Sequence, residues 1–456
     1  MTTTRIFVFA LALVLCSLPS GRPQSGPKVN PGTITLLAGF GGQGYSAPGQ
    51  LIEVTPGTFA GIAVSQATAF QLTSQGVVTP LFAFPHPSAP GPHILQALNG
   101  RIYGAEINAS GSLPVNYSFN ATGNLKTYPQ VLPVAPIPAV QLPTGKMYGT
   151  EWDINKGSAF VEIALSGAVT VLHTFTKDEG TPYGLPILAS DGNFYGISGI
   201  GTQIPPSSTR AMVYRLTPGG KFAVLASYPD GRSNAGPGSF EETLVQAGNG
   251  NLYGTAALGG SQRAGAIFEL TLDGTLTNLY EFSTLPSGAP TFLIEGTDGN
   301  LYGVAQGKGG QGGYSSLFQI TPSGQFTLLQ VLSTLNIGSC QCWLTIGTDG
   351  KFYGTAENSG PGNGSAWVWD LGLPPPKPKV TGVLPTSGAP GAVVTVYGEF
   401  LLGATGVSFN GTPATTFSNI SGNYVSVTVP SGATTGPITV TTANGSSTSA
   451  GSFTVE

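Results

Sequence analysis

Charged side chains are scarce in this sequence. Only 8% of its 456 residues are Asp, Glu, Lys or Arg, and the formal net charge is −4. Ordinary globular domains carry about 25%. Such a chain offers no basic patch for a phosphate backbone or an anionic lipid surface. We therefore expect neither nucleic acid nor a membrane surface as a partner.

Groups that carry catalysis or bind metals are also few. The chain has three His and three Cys, and it contains neither a Gly-x-Ser-x-Gly turn nor an Asp-x-Asp-x-Asp-Gly calcium loop. Glu241 and Glu242 are adjacent, so on a strand they face opposite ways and form no glycosidase pair by themselves. The sequence predicts no cofactor and no metal site, and it favours the absence of enzymatic activity without deciding it.

Two of the cysteines form a Cys-Gln-Cys segment, Cys340 and Cys342. This spacing permits only a strained disulfide, because the Cα separation in an extended strand approaches the upper limit for a bridge. A metal site with His86 and His93 from a neighbouring loop is the alternative, and the spacing gives it little support. The redox state of the pair stays open.

The N-terminus has the pattern of a secretory signal. Arg5 precedes an apolar run at 6–16, which is too short to span a bilayer, and Ser, Pro and Gly follow. We predict a signal peptide over 1–25, with cleavage between Ser20 and Ser25. Lipidation of Cys16 is disfavoured, because Leu15 stands where a small residue is needed. The predicted location is secreted or on the cell surface, with no membrane insertion after removal of the signal.

Glycine is abundant, with 68 residues, and many belong to one repeated motif. The motif is Gly, a polar residue, an apolar residue, Tyr and Gly, as in the GNLYG of 299–303. Its tyrosines are Tyr103, Tyr148, Tyr195, Tyr253, Tyr302 and Tyr353. Their spacing of 45 to 58 residues is typical of four-stranded propeller blades.

The best preserved unit shows four apolar runs, here named strands a to d, at 291–297, 300–305, 316–321 and 325–332. Asp-Gly or Asn-Gly closes the a–b hairpin. The apolar residue and the Tyr point to opposite faces of strand b, so each packs against one neighbouring blade. The Gly after Tyr lets a backbone or ring approach closely. The six tyrosines are therefore predicted to be structural.

The two ends of the repeat array complement each other. A degenerate copy at 56–63 has Ala60 in place of Tyr, and the last repeat stops after 366–371 without a strand d. The run at 33–40 is an unpaired strand d. Closure by this strand removes the open sheet edges. We predict a seven-bladed β-propeller over 33–371 closed by an N-terminal strand, with six or eight blades as alternatives.

These repeats resemble the GloVer repeat, found in tandem in secreted bacterial proteins described as choice-of-anchor. The resemblance rests on the Gly-x-[Leu/Phe]-Tyr-Gly-Thr run, the Gly-rich stretch, the IFELT strand at 267–271 and the TLTNLYEFS strand at 275–283. It implies a β-rich surface or secreted protein without a settled activity. The chain ends in SFTVE, without a sorting signal, which argues against cell-wall attachment.

A second domain follows a Pro-rich linker at 372–379. Residues 380–456 contain short alternating strands at 393–398, 406–411, 424–430, 436–442 and 451–456, which predict an Ig-like β-sandwich. The region resembles an IPT/TIG domain. The positions that match the motif of that family are Pro385, Gly388, Gly391 and Gly398. That resemblance implies a module for contacts or spacing. The whole chain is thus predicted to be all-β.

The loops suggest where a ligand binds. The a–b and c–d connections are short, whereas the b–c and d–a connections are long and gather at one end of the propeller, where binding residues usually lie. Aromatic residues beside carboxylates and Arg suit a sugar or peptide. The predicted binding residues are Trp152, Asp153, Lys177, Asp178, Tyr183, Asp230, Arg232, Arg263 and Tyr314, with Lys156, Glu179 and Lys308 beside them.

Three functions agree with these features. The first is a secreted, non-enzymatic protein that binds a glycan or protein, with the Ig-like module as spacer or contact domain. The alternative is an extracellular polysaccharide hydrolase or lyase, which requires at least two acidic side chains facing one pocket at the propeller mouth. A purely structural surface protein is the third. The ligand and the oligomeric state stay open.

Overall fold

A computed structural model gives the fold of the chain. It describes residues 30–40, 48–85, 89–107, 115–129, 135–151, 157–200, 210–228, 244–256, 260, 264–283, 290–306, 315–332, 343–356 and 364–456. Pro31–Glu456 form one compact unit. Strands and turns dominate the described residues, which also include a short 3-10 turn at Val64–Gln66. The prediction of an all-β chain is confirmed.

Seven four-stranded antiparallel sheets lie in the described residues before position 371. The first contains β2 (Ile52–Thr55), β3 (Thr58–Ala63), β4 (Thr68–Thr73) and β5 (Val78–Ala83). The second contains β6 (Ala89–Gln96), β7 (Ile102–Ile107), β8 (Val115–Phe119) and β9 (Lys126–Pro129). The third contains β10 (Ile137–Gln141), β11 (Met147–Glu151), β12 (Ala159–Ile163) and β13 (Val169–Thr174).

The next sheets repeat the same order of strands. The fourth contains β14 (Thr181–Leu188), β15 (Phe194–Ile200), β16 (Arg210–Leu216) and β17 (Phe222–Tyr228). The fifth contains β18 (Leu244–Gln246), β19 (Leu252–Ala256), β20 (Ala266–Leu270) and β21 (Leu276–Glu281). The sixth contains β22 (Pro290–Glu295), β23 (Leu301–Gln306), β24 (Ser315–Ile320) and β25 (Phe326–Val331).

The last sheet joins the two ends of the repeat array. It contains β26 (Leu344–Ile346), β27 (Phe352–Ala356), β28 (Ser365–Asp370) and β1 (Thr33–Gly39). Strand β1 runs antiparallel to β28, with Thr33 opposite Asp370 and Gly39 opposite Ser365. The predicted closure of a β-propeller by the N-terminal strand is confirmed.

The repeated motif packs each blade against both neighbours. Leu301 lies in a buried cluster with Tyr253 of the preceding blade, whereas Tyr302 lies in a cluster with Phe352 of the following blade. The Tyr302 and Phe352 ring centroids are 5.2 Å apart. The apolar residue and the tyrosine therefore serve opposite faces of strand b, as predicted.

In five of the six repeats, the glycine after the tyrosine lies beneath an aromatic side chain of strand c, whereas Gly149 lies against the Ile137 backbone of strand a. Gly303 pairs with Phe318 across the sheet, and a Cβ added at Gly303 would overlap both the Phe318 ring and the Phe292 carbonyl oxygen. Gly196 lies in the same way beneath the Tyr214 ring. The close approach predicted for this glycine is confirmed, and no larger residue fits there.

The C-terminal domain is a sandwich of two sheets. The first contains β29 (Lys379–Leu384), β31 (Val393–Glu399), β35 (Tyr424–Thr428) and β34 (Phe417–Ser421). The second contains β30 (Ser387–Gly388), β37 (Gly445–Val455), β36 (Gly436–Thr442), β32 (Ala404–Phe409) and β33 (Thr412–Pro413). The Ig-like sandwich is confirmed.

One strand of this domain begins earlier than predicted. Strand β37 begins at Gly445, not at 451, because a two-residue turn, Ala443-Asn444, joins it to β36, with Thr442 opposite Gly445. Gly445 has a φ of +130°, which favours glycine, and Asn-Gly between two strands is a strong hairpin signal. The sequence therefore contained the cue for this hairpin.

The Ig-like domain packs on the propeller end that carries the a–b turns. The Tyr424 hydroxyl donates to the Gln141 carbonyl oxygen at 2.6 Å, and Asn444 Nδ2 donates to the Thr348 carbonyl oxygen at 2.7 Å. Gln141 ends strand a of the third blade, and Thr348 lies in an a–b turn. The long b–c and d–a connections leave from the opposite end of the strands.

Candidate functional site

A hydrogen bond recurs between neighbouring blades at the a–b end. The side chain at the end of one strand a accepts from a backbone N–H in the preceding a–b turn, as where Ser190 N–H donates to Gln246 Oε1 at 2.8 Å. The acceptors are Glu53, Gln141, Gln246 and Glu295, and the donors are Thr348, Leu98, Ser190 and Gly248. We call this contact the blade clamp.

Sequence reasoning missed the blade clamp, although the sequence contains a signal for it. A Glu or Gln stands four residues before the turn glycine, as in Glu295 with Gly299 and Gln246 with Gly250. An amide or carboxylate at this position has an acceptor oxygen for the neighbouring turn. The repeated spacing therefore marks a contact between blades.

The aspartates of the a–b turns hold the repeat tyrosines. The Tyr302 hydroxyl donates to Asp298 Oδ2 at 2.8 Å, and the Asn300 N–H donates to Asp298 Oδ1 at 3.2 Å. Tyr195 and Tyr353 make the same bond to Asp191 and Asp349. Burial, followed by the bond to Asp191, raises the pKa of Tyr195 to about 12.

All six repeat tyrosines are buried, with at most 3% of each side chain exposed. Tyr103, Tyr148 and Tyr253 also form hydrogen bonds through their hydroxyls. The hydroxyls and turn carboxylates are thus engaged within the scaffold. They present no reactive group to a ligand.

A cavity of about 350 Å³ lies between the propeller and the Ig-like domain. Its propeller side consists of innermost strands and includes Ile94, Leu185 and Ile346. Its other side includes Phe400 and Asn423 of the Ig-like domain. We call this space the interdomain cavity.

Two carboxylates line the interdomain cavity, and both have partners within the chain. Glu53 accepts from the Gly57 N–H at 2.7 Å and from the Thr348 N–H at 2.8 Å. Burial raises the pKa of Glu53 above its ordinary value. Glu399 pairs with Lys379 at 2.9 Å. The cavity therefore has two acidic side chains on its wall, but each already serves a structural contact.

An aromatic contact crosses from one blade to another near His93. The His93 and Trp343 ring centroids are 4.5 Å apart, and those of Trp343 and Phe292 are 5.9 Å apart. His93 is only 3% exposed, and this burial lowers the pKa of its imidazole to about 3. The imidazole is therefore neutral at physiological pH.

The structure does not test the proposed metal alternative. Cys340, Cys342 and His86 lie outside the described residues, as do Glu241, Glu242 and the predicted signal peptide. In the part of the chain that the structure describes, no group of three or more His, Cys, Asp and Glu is placed to hold a metal ion.

Most of the predicted binding residues also lie outside the described part. These are Trp152, Asp153, Lys156, Asp230, Arg232, Arg263, Lys308 and Tyr314, together with the side chain of Tyr183. Lys177 and Asp178 are exposed in a turn after β13. The turn is held by Glu179, whose carboxylate accepts from the Thr176 N–H at 2.8 Å and lies 3.1 Å from His173 Nε2.

The family comparisons agree with the two resemblances found in the sequence. Residues 202–371 match the Gloeobacter/Verrucomicrobia repeat, and residues 378–455 match the IPT/TIG domain. The chain therefore carries this repeat and a C-terminal IPT/TIG domain. No curated protein matches the chain.

Solved structures show the same propeller fold at low sequence identity. Virginiamycin B lyase from Staphylococcus aureus is 13% identical, with a TM-score of 0.53 over 74% of this chain and 98% of that chain. An inactive variant of that lyase with quinupristin is also 13% identical, with a TM-score of 0.54 over 74% of this chain and 99% of that chain. Such identities show the fold alone.

Among the described residues, we find no helix with the length and hydropathy needed to span a bilayer. The repeat and the IPT/TIG domain are typical of extracellular bacterial proteins. These two findings concern location and leave the ligand unspecified.

Proposed function

We propose that this protein is a secreted, non-enzymatic binding protein that recognises a glycan or a protein through the loop-bearing end of its propeller. The observation that carries the proposal is the position of the Ig-like domain. Tyr424 and Asn444 hold it on the a–b end through bonds to Gln141 and Thr348. The end with the long connections is therefore left to meet a partner, and such loops on a rigid scaffold are where binding residues concentrate.

The hydrogen bonding of the acidic residues supports a non-enzymatic role. Asp191, Asp298 and Asp349 accept tyrosine hydroxyls, whereas Glu53 and Glu295 accept backbone N–H groups in the blade clamp. A polysaccharide hydrolase or lyase needs carboxylates that face the substrate. The two acids on the interdomain cavity wall are instead held by protein partners, which makes hydrolysis the weaker reading.

Secretion is part of this proposal. The apolar run at 6–16 after Arg5 supports export by a signal peptide over 1–25. N-terminal sequencing of the protein from the culture medium tests it. A mature chain that begins between residues 20 and 26 supports export, whereas an intact N-terminus inside the cell contradicts it.

The test of the binding role is a glycan, polysaccharide and protein panel with the full chain, scored for both retention and product release. Retention without products is the expected result. Trp152→Ala and the double variant Lys177→Ala with Asp178→Ala should weaken retention. Lys221→Ala, an exposed lysine on a c–d turn at the other end, is the matched control and should retain the ligand.

Two results would overturn the proposal. Release of oligosaccharides would establish the hydrolase or lyase alternative and direct the search to acidic residues at the mouth. Absence of any retained ligand would leave the purely structural role as the better account.

A further inference from the structure

The interdomain cavity has the size and place of a ligand site. Its volume of about 350 Å³ falls within the range of roughly 300–1,000 Å³ that small-molecule pockets occupy. Such pockets occur preferentially where two domains meet. The cavity lies between the inner strands of the propeller and the Ig-like domain, at the opposite end from the long loops.

The cavity wall suits a neutral molecule. Leu185, Ile346 and Leu402 supply apolar surface, and the carboxamides of Gln50, Gln96 and Asn423 supply polar groups. A carboxamide both donates and accepts hydrogen bonds, as a hydroxyl or amide of a ligand requires. Both carboxylates on the wall are already engaged, Glu53 by backbone N–H groups and Glu399 by Lys379, so neither is free to pair with a charged ligand.

Gln96 departs from the blade clamp in a way that points to the cavity. Its counterpart Gln246 accepts from Ser190 N–H at 2.8 Å and donates to the Gly250 carbonyl oxygen at 2.8 Å. Gln96 Oε1 is buried, and no described residue donates a hydrogen bond to it. Rotation about the last side-chain torsion presents either end of the carboxamide to the cavity. A ligand hydroxyl or N–H would supply the missing bond.

Phe400 is a second, independent sign. It lines the cavity with a backbone φ of +54°, a conformation that favours glycine or asparagine over a bulky residue. Strained residues of this kind cluster at ligand clamps. The aromatic side chain therefore stands at a position where a smaller residue would be less costly to the backbone.

We infer that the interdomain cavity binds a small neutral molecule rich in hydroxyl or amide groups, of sugar-ring size. Gln96 and Asn423 hydrogen-bond the ligand, and Phe400 forms an apolar wall beside it. This site goes beyond the proposed function, because it lies at the end of the propeller away from the loops.

The test is titration calorimetry of the full chain with glucose, galactose, N-acetylglucosamine and glycerol, against glucuronate and glucosamine as charged counterparts. We expect at least one neutral probe to bind with a Kd below ~1 mM. Gln96→Leu should weaken that binding roughly tenfold, since the ligand loses a hydrogen bond.

Three further variants separate binding from folding. Ala139→Phe fills the cavity from the propeller side and should abolish binding, whereas Ala168→Phe, at an exposed turn, should leave it unchanged. Phe400→Gly removes the wall at a position whose φ suits glycine, so it should weaken binding without loss of thermal stability.

The outcomes discriminate clearly. Binding that persists in Ala139→Phe, equal binding of the charged probes, or no neutral probe bound below ~1 mM would overturn the inference. Retention of a glycan or protein by the loop end should survive in Ala139→Phe. The failure of one site is therefore distinguishable from the failure of the other.

Discussion

The propeller and the Ig-like domain are both built from short strands, yet they bury them differently. Strand β23 of the propeller is buried along Leu301–Ala305 without alternation, whereas β36 of the sandwich alternates buried and half-buried residues. A blade packs on both faces, but each sheet of a sandwich has only one inner face. Two-sided burial therefore requires both large and very small residues on the same strand.

The cores differ in composition for the same reason. The sandwich has one cluster dominated by Val, including Val394, Val396 and Val427. The propeller divides its core into several clusters between blades, where tyrosines and phenylalanines meet, as in Tyr148 and Phe194 at 4.7 Å. Because the blades are arranged in a circle, the gaps between neighbouring blades are wedge-shaped. Aromatic side chains beside glycines fill these gaps.

A methyl group added beneath an aromatic ring should have the largest effect on the free energy of unfolding. Gly303→Ala should reduce the free energy of unfolding by about 2–3 kcal/mol, because its Cβ overlaps Phe318 and a backbone oxygen. Gly406→Ala in the sandwich, where Thr441 Cβ is 3.9 Å from the added atom, should change it by less than ~0.5 kcal/mol. Chemical denaturation measures both free energies, and equal losses would contradict this difference between the propeller and the sandwich.

Loss of a repeat hydroxyl should have the next largest effect. Tyr302→Phe removes the hydroxyl that donates to Asp298 and accepts from Gln319 Nε2. This should reduce the free energy of unfolding by about 1–3 kcal/mol. The control is Tyr280→Phe, which keeps the ring stacked on Phe326 at 4.0 Å. Thermal unfolding of the two variants should differ clearly. An unchanged unfolding temperature in Tyr302→Phe would show that the hydrogen bond to the aspartate adds no stability beyond the packing of the ring.

The contact between the two regions should contribute less. Tyr424→Phe removes the donor to the Gln141 carbonyl oxygen and should cost about 1 kcal/mol. Calorimetry should show a larger difference between the unfolding temperatures of the sandwich and the propeller in this variant than in the unaltered protein. Tyr397→Phe is the matched control on the paired strand, opposite Tyr424. Identical traces for both variants would contradict a stabilising role for the interdomain bond.

The smallest expected effect is a change in pH dependence. Burial raises the pKa of Glu53 above 4.5, so the folded state holds that proton more tightly than the unfolded state. This contribution to stability is present below pH 4.5 and is lost as pH rises through the raised value. Glu53→Gln places in this clamp the amide found at Gln141 and Gln246, and should remove that pH dependence. Urea titrations at pH 4 to 7 measure it, and an unchanged profile would contradict the assignment.

The sequence predicted local structure well. The TAFQLT segment coincides with β4 at Thr68–Thr73, and the run at 33–40 was correctly paired with the last repeat. Both rest on periodicity and turn chemistry, which act over a few residues. The blade clamp was missed because its partners, such as Glu53 and Thr348, lie on neighbouring blades but far apart in the sequence, so the repeated spacing alone does not identify the donor.

The sequence alone determined the all-β class, the repeat, the N-terminal closing strand and the separate IPT/TIG domain, because each follows from spacing and composition. The tertiary structure alone decided which end of the propeller the Ig-like domain covers, and with it the interdomain cavity. That choice depends on a few contacts between distant segments, such as Tyr424 with Gln141 and Asn444 with Thr348. Such contacts exist only after the two surfaces have formed.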